Sequence, residues 1–254
     1  MLLELGLFIT LLAFLCEYVD STLGMGYGTT LTPILLLFGF EPLQIVPAVL
    51  LSELITGFLA AGAHHSIGNV NFAKDSVHLK IALLLGVCSI AGVIFAGFAV
   101  INLPVFYLKL YIGLLVLLMG ILILWHRNSN GSFSWKKITG LGVLAAFNKG
   151  ISGGGYGPLV VTGQMLSGLK GKPAIAITSL AEACTCLVGV LFYFFANSII
   201  DWQLAPYLIV GAVLSVPFSA ISLKKITEHK LTIFVGIAAL LLGFFTLAKT
   251  FNLL

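Results

Sequence analysis

The chain has 254 residues, of which 59% are hydrophobic and 9% charged, with a formal net charge of +4. Soluble domains carry about a quarter charged residues, so too few are present here to cover a water-facing surface, and lipid must cover it instead. That composition excludes a cytosolic enzyme, a nucleic-acid binder and a disordered regulator, and it makes the placement of the lysines more informative than their sum.

Ten apolar segments follow one another, near 2–19, 29–40, 43–62, 79–101, 105–125, 137–150, 158–168, 173–196, 203–223 and 231–248. No stretch between them reaches the ~50 residues of a soluble domain. The expected fold is all-α and polytopic, with eight to ten helical segments. The first segment opens MLLELGLF, with Glu4 where a signal peptide carries Lys or Arg, so it is expected to stay in the mature protein. Glu17 and Asp20 close it, and the run G-M-G-Y-G (24–28) leads into segment two. Twelve residues from Thr29 to Phe40 span only ~18 Å, against a bilayer core of about 30 Å. Segment three holds Glu53 and ends in His64-His65. Neighbouring histidines do not share a helix face, so a solvated loop or a gating contact with an anion is expected rather than zinc.

Segments four and five are apolar apart from Lys80 at the start of the first and Lys109 in the second, and a basic connection leads to segment six. That segment runs into Asn148-Lys149-Gly150-Ile151-Ser152-Gly153-Gly154-Gly155-Tyr156-Gly157-Pro158, and the segment after it is again short. Segment eight carries Glu182. Both short segments therefore follow a glycine cluster, and each pairs with the segment before it as a broken helix or a re-entrant hairpin. Such irregular backbone survives at membrane depth only where protein or a wet cavity surrounds it. Cys16, Cys88, Cys184 and Cys186 lie in apolar runs without a C-x-x-C pair and are expected to be buried, unreactive thiols. Trp125, Trp135 and Trp202 fall near the expected interfaces, where indole rings anchor a chain.

The two clusters belong to an internal repeat. Sliding 17–62 onto 146–191, an offset of 129, aligns Gly24 with Gly153, Gly26 with Gly155, Tyr27 with Tyr156 and Gly28 with Gly157. The same register aligns Leu37 with Leu166, Gly39 with Gly168, Leu51 with Leu180, Glu53 with Glu182 and Thr56 with Thr185. A shared intramembrane glutamate is the telling match in a chain with nine acidic residues. The connections after segments three, five, seven and nine hold Lys74, Lys80, Arg127, Lys136, Lys137, Lys170, Lys172, Lys224, Lys225 and Lys230; those after two, four and eight hold none. This bias places the first set in the cytoplasm and both termini outside. Each half then makes an odd number of net crossings, which inverts the second relative to the first. The expected organisation is a first membrane repeat at 1–126, a cytoplasmic connection at 127–136 and an inverted repeat at 137–254. Inverted repeats with interrupted helices are a signature of secondary transporters, with the substrate site where the halves meet.

The segments that follow the breaks start with N–H groups lacking helical partners, at the positive end of a helix dipole, which is the chemistry of an anion site. The expected substrate-binding residues are Gly24, Gly26, Tyr27, Gly28 and Thr29 at the first break and Asn148, Lys149, Ser152, Gly153, Gly154, Gly155, Tyr156 and Gly157 at the second. Ser21, Thr22 and Thr30 add hydroxyls beside the first. Close helix packing is the alternative role for such glycines. Neither cluster has the G-x-G-x-x-G spacing of a dinucleotide site. Asp20, Glu53 and Glu182 are coupling or gating candidates, because an ionisable group at that depth pairs, faces a cavity or changes protonation. The repeat aligns Asp20 with Lys149, so these two opposite charges are expected to meet across the pseudo-symmetry axis.

The runs D-S-T-L-G-M-G-Y-G-T-T-L-T-P (20–33), K-G-I-S-G-G-G-Y-G-P-L (149–159) and A-I-T-S-L-A-E (176–182) resemble the TauE/SafE sulfite exporter family, over nearly the whole chain. The first half departs from the commoner glycine-rich pattern at Met25 and in carrying Glu17 and Asp20. The resemblance implies a carrier of sulfite, organosulfonates or other small organic anions in the plasma membrane of a bacterium or archaeon. The expected function is thus a secondary transporter for a sulfur-containing anion such as sulfite, thiosulfate or an organosulfonate, working by alternating access, with proton coupling open. A cation carrier or channel built on the intramembrane carboxylates is the alternative. No cofactor motif, metal-spaced His/Cys set or nucleophile with a base is present, so no enzyme, cofactor or metal is expected. The expected partners are the small anion and the lipid bilayer, not nucleic acid; a homo-oligomer is left open.

Overall fold

The computed structural model describes residues 2–24, 26–125, 134–166, 169, 172–196, 200–223 and 228–252. Met25, Arg127, Gly168, Lys170, Lys224, Lys225 and most of the 127–136 connection lie outside them. The described residues form ten helices: α1 (Leu2–Leu23), α2 (Tyr27–Leu37), α3 (Pro42–Ser66), α4 (Val77–Asn102), α5 (Val105–Trp125), α6 (Trp135–Ser152), α7 (Tyr156–Leu166), α8 (Lys172–Phe195), α9 (Ala205–Ser222) and α10 (Glu228–Thr250). Six of them (α1, α3, α4, α5, α8 and α9) are long and apolar enough to cross a membrane. The chain is an all-α, multi-pass membrane protein, and its outer girdle of exposed side chains such as Phe95, Phe98, Phe194, Leu214 and Phe218 suits lipid.

Local sequence sets the helix ends. Glu41 and Gln44 form a reciprocal capping box ahead of Pro42, and Ser76 accepts the Leu79 N–H to start α4. Asp201 accepts the N–H groups of Gln203 and Leu204 at 2.9 and 3.2 Å before α9, and its other oxygen takes the Gln44 amide at 3.0 Å. The short α2 turns back along α1, with the Phe8 and Phe38 rings meeting edge to face at 5.5 Å. At ~1.5 Å per residue its eleven residues are too few to cross a bilayer, and α1 and α2 form an antiparallel hairpin. Ile138 near the start of α6 and Gln164 near the end of α7 line one small cleft, which gives the second hairpin the same antiparallel course. Lys249 on α10 donates to the carbonyls of Leu36 and Leu37 at 3.2 and 2.8 Å, capping the negative end of α2.

The most extensive packing pairs are α5 with α10, α1 with α9, α4 with α6 and α3 with α8, followed by α4 with α8 and α3 with α9. Renaming α1–α5 as α6–α10 and the reverse exchanges α1–α9 with α6–α4 and α3–α9 with α8–α4, and returns the other two pairs to themselves. Small residues let these helices approach: Gly211 lies against Thr10 and Ala13, and Gly92 against Val143 and Ala146.

Candidate functional site

The α1–α2 and α6–α7 hairpins end in glycine elbows that begin their turns alike. Gly24 and Gly153 have φ of 69° and 68°, in the left-handed region that favours glycine. Their N–H groups close the last turn on Asp20 and Lys149 at 2.5 and 2.8 Å. Gly26 and Gly155 also have positive φ. The elbows meet inside the protein, main chain against main chain. A Cβ added to Gly154 would lie 2.5 Å from the Gly28 carbonyl carbon and 2.6 Å from Thr29 N, and one on Gly28 would overlap the Gly153 carbonyl. Gly155 N–H donates to Thr29 Oγ1 at 3.0 Å across the junction. All thirteen residues expected at the breaks are thus gathered at one buried place: Gly24, Gly26, Tyr27, Gly28, Thr29, Asn148, Lys149, Ser152, Gly153, Gly154, Gly155, Tyr156 and Gly157.

Several polar groups there are spent on shaping the elbows. Ser152 Oγ accepts the Gly154 N–H at 3.0 Å and donates to the Asn148 carbonyl at 2.8 Å. Thr22 donates back to the Tyr18 carbonyl. Asp20 Oδ1 takes the Tyr27 N–H at 3.4 Å, so the positive end of α2 already faces a carboxylate. Tyr27 OH pairs with Ser52 Oγ at 2.9 Å.

The ion pairing differs from the sequence expectation. Lys149, fully buried, donates to Glu182 Oε1 at 2.7 Å and contacts Glu53 Oε2, rather than pairing with Asp20. Its partners come from the middle of α3 and α8, which pack against each other. Oxygens of Asp20, Glu53 and Glu182 lie within 4.8 Å of one another, the one such cluster of possible metal ligands among the described residues. Lys149 supplies a built-in cation to it. A cavity of about 10 Å³, the size of one water site, opens between Glu17, Asp20, Glu53, Thr56, Gly57, Ser179 and Glu182. Glu17 receives the Ser21 hydroxyl at 2.6 Å on one oxygen, while its other oxygen and Glu53 Oε1 have no hydrogen-bond partner among the described residues. Four buried carboxylates therefore face one ammonium.

Three residues near the site were not singled out by the sequence. Tyr111 on α5 donates to the Asn148 side chain, Ser52 holds Tyr27, and Tyr193 on α8 donates to the Gly150 carbonyl at 3.1 Å. Ser52 had a signal in its place beside Glu53; Tyr111 had none. Of the two roles expected for His64, a solvated loop or a gating contact with an anion, the first does not hold: it is fully buried in the last turn of α3 and bonds the Ser21 carbonyl, 43 residues away. Its neighbour His65 faces the 70–72 backbone. The four cysteines are unpaired, Cys16 and Cys186 buried and Cys88 and Cys184 half-buried.

Residues 9–246 match the sulfite exporter TauE/SafE family. The chain is 28% identical over 239 residues to the probable membrane transporter protein YtnM of Bacillus subtilis (strain 168), an alignment covering 89% of this chain and 77% of that protein. No solved structure matches it. The paired elbows, the buried lysine and the match over nearly the full length agree: this chain is a membrane transporter, not an enzyme, and belongs to the sulfite exporter TauE/SafE family.

Proposed function

We propose that the protein is a secondary carrier for a small sulfur-containing anion, of the sulfite, thiosulfate or organosulfonate class, in the plasma membrane of a bacterium or archaeon. Its two halves, 1–126 and 137–254, are joined by the cytoplasmic connection 127–136; they run in opposite senses and rock about the elbow junction to give alternating access. The single observation that carries this reading is the buried meeting of the two elbows beside Lys149. Asp20 already occupies the positive end of α2, so the substrate binds at the second elbow, between the end of α6, which carries Lys149, and the start of α7 at Tyr156. The six most extensive helix pairings, which map onto one another when the halves are exchanged, support the duplicated architecture.

Proton coupling follows from charge. Like charges in a poorly solvated interior repel strongly, so an anion enters a chamber of four carboxylates and one ammonium favourably when protons neutralise part of the chamber's negative charge. The test is transport current in proteoliposomes with sulfite, thiosulfate, sulfate, sulfoacetate and small carboxylates, with and without a pH gradient. The reading expects current for a sulfur anion, enlarged when acid is on the side from which the anion enters; silence across the panel overturns it. The cluster of three carboxylate oxygens favours a second reading, a cation carrier. That reading predicts current driven by Na+ or another metal cation with no added anion.

A further inference from the structure

Each elbow leaves carbonyls of its first helix without a helical partner. Gly154, which would close the next turn of α6, gives its N–H to Ser152 instead. The carbonyl this leaves, that of Gly150, receives the Tyr193 hydroxyl at 3.1 Å. In the other half, the Ser21 carbonyl is met by His64 Nε2 at 3.0 Å. Residues 21 and 150 are separated by 129 positions, and so are 64 and 193. Two unlike side chains thus make the same bond at equivalent places, both fully buried.

The hydrogen-bond network assigns the imidazole tautomer. Asn69 Nδ2 lies 3.0 Å from His64 Nδ1 and 3.3 Å from the Ala220 carbonyl. An amide nitrogen only donates and a carbonyl only accepts. Nδ1 is therefore bare, and Nε2 carries the hydrogen given to Ser21. A second proton on the ring would place a donor on Nδ1 facing the Asn69 donor. The Nε2–H bond to Ser21 would persist, while the link through Asn69 to α9 would have to break or the amide turn over. The phenol of Tyr193 undergoes no such change between pH 5 and 8, the range in which histidine titrates. The groups around His64 are Ser21, with Glu17 and Asp20 beside it on α1, Asn69 in the α3–α4 connection and Ala220 on α9. The titratable side chain of α9, Tyr207, packs against Gly6 toward the other end of α1.

We infer that His64 and Tyr193 are paired positioning residues. Each fastens the elbow of its own half to the helix bearing that half's buried glutamate, Glu53 on α3 or Glu182 on α8, and only the His64 fastening carries a proton-sensitive link, from the ring through Asn69 to α9. Elbow and glutamate then shift together when the carrier changes access. The transport part of the test rests on the proposed anion carriage; the structural part does not.

Hydrogen–deuterium exchange on the purified full-length protein in nanodiscs reads the fastenings directly. His64→Phe should speed exchange in 18–24 roughly tenfold, the loss of about one hydrogen bond, and leave 147–153 unchanged. Tyr193→Phe should do the reverse. His64→Tyr, which installs the second half's residue in the first, should restore slow exchange. In the current assay it should also keep transport while flattening the pH 5–8 profile relative to the wild type. Unchanged exchange at 147–153 in Tyr193→Phe, or a wild-type pH profile in His64→Tyr, overturns the inference, and both are readable even if His64→Phe fails to fold. A wild type silent toward every anion overturns the carrier reading alone, since the exchange arms still decide the fastening.

Discussion

The two elbows are the same piece of backbone put to different electrical use. Gly24 and Gly153 have φ values one degree apart, and each N–H closes its last turn on the residue four before it. That residue is Asp20 in one half and Lys149 in the other. Asp20 turns onto the start of its own α2, where a carboxylate is favoured by the unpaired N–H groups. A lysine in the equivalent place would face a positive helix end, so Lys149 turns away and is held by Glu182 and Glu53. The two elbows thus carry opposite charges at positions 129 residues apart, one turned onto its own following helix and the other held by glutamates of α3 and α8.

Removing Lys149 should break that contrast most severely. Lys149→Met leaves Glu53 and Glu182 buried without their cation, a loss of about 3–5 kcal/mol by analogy with broken buried pairs. Thermal unfolding in detergent should show it, together with loss of the anion current. Adding Glu53→Gln and Glu182→Gln should recover most of the stability without restoring current; restored current would mean that the lysine has only a structural role. Next in size, Gly28→Ala or Gly154→Ala should push the elbows apart. Overpacking of this kind costs ~1–3 kcal/mol, and with both contacts made by main chain the upper part of that range is expected. Gly62→Ala, whose added carbon meets nothing within 4 Å, should be close to neutral in the same unfolding assay. The smallest effect should come from Asp20→Asn, which keeps an acceptor for the Tyr27 N–H and removes the charge. Stability should change by less than about 1 kcal/mol, while the pH dependence of the current shifts; an unaltered profile would place Asp20 outside the coupling machinery.

Much of this architecture could be read from the chain. Lipid demands long apolar helices, and the ten segments fall on ten helices with ends displaced by a few residues. Segment two was set at 29–40, whereas α2 starts at Tyr27 and stops at Leu37, before Gly39 takes φ +97°. The elbows were legible because glycine runs before short segments have few other uses. The partners of Lys149 were not. In a membrane protein the lipid-facing and protein-facing sides of a helix are both apolar, so hydropathy carries no signal for which side of α3 or α8 turns inward. His64 was misplaced for a related reason: its position near a chain connection suggested solvent, and the buried carbonyl it satisfies belongs to another helix.

The contact of Gly28 with Gly153 and Gly154 gives the centre of the molecule a partition built from peptide groups alone. Side-chain substitution can thicken such a septum but has nothing there to trim. The walls beside it, formed by Thr29, Asn148 and Tyr111, carry ordinary side chains that mutation can exchange freely. Substitution can therefore remodel the surroundings of the junction while the barrier itself is inherited unaltered.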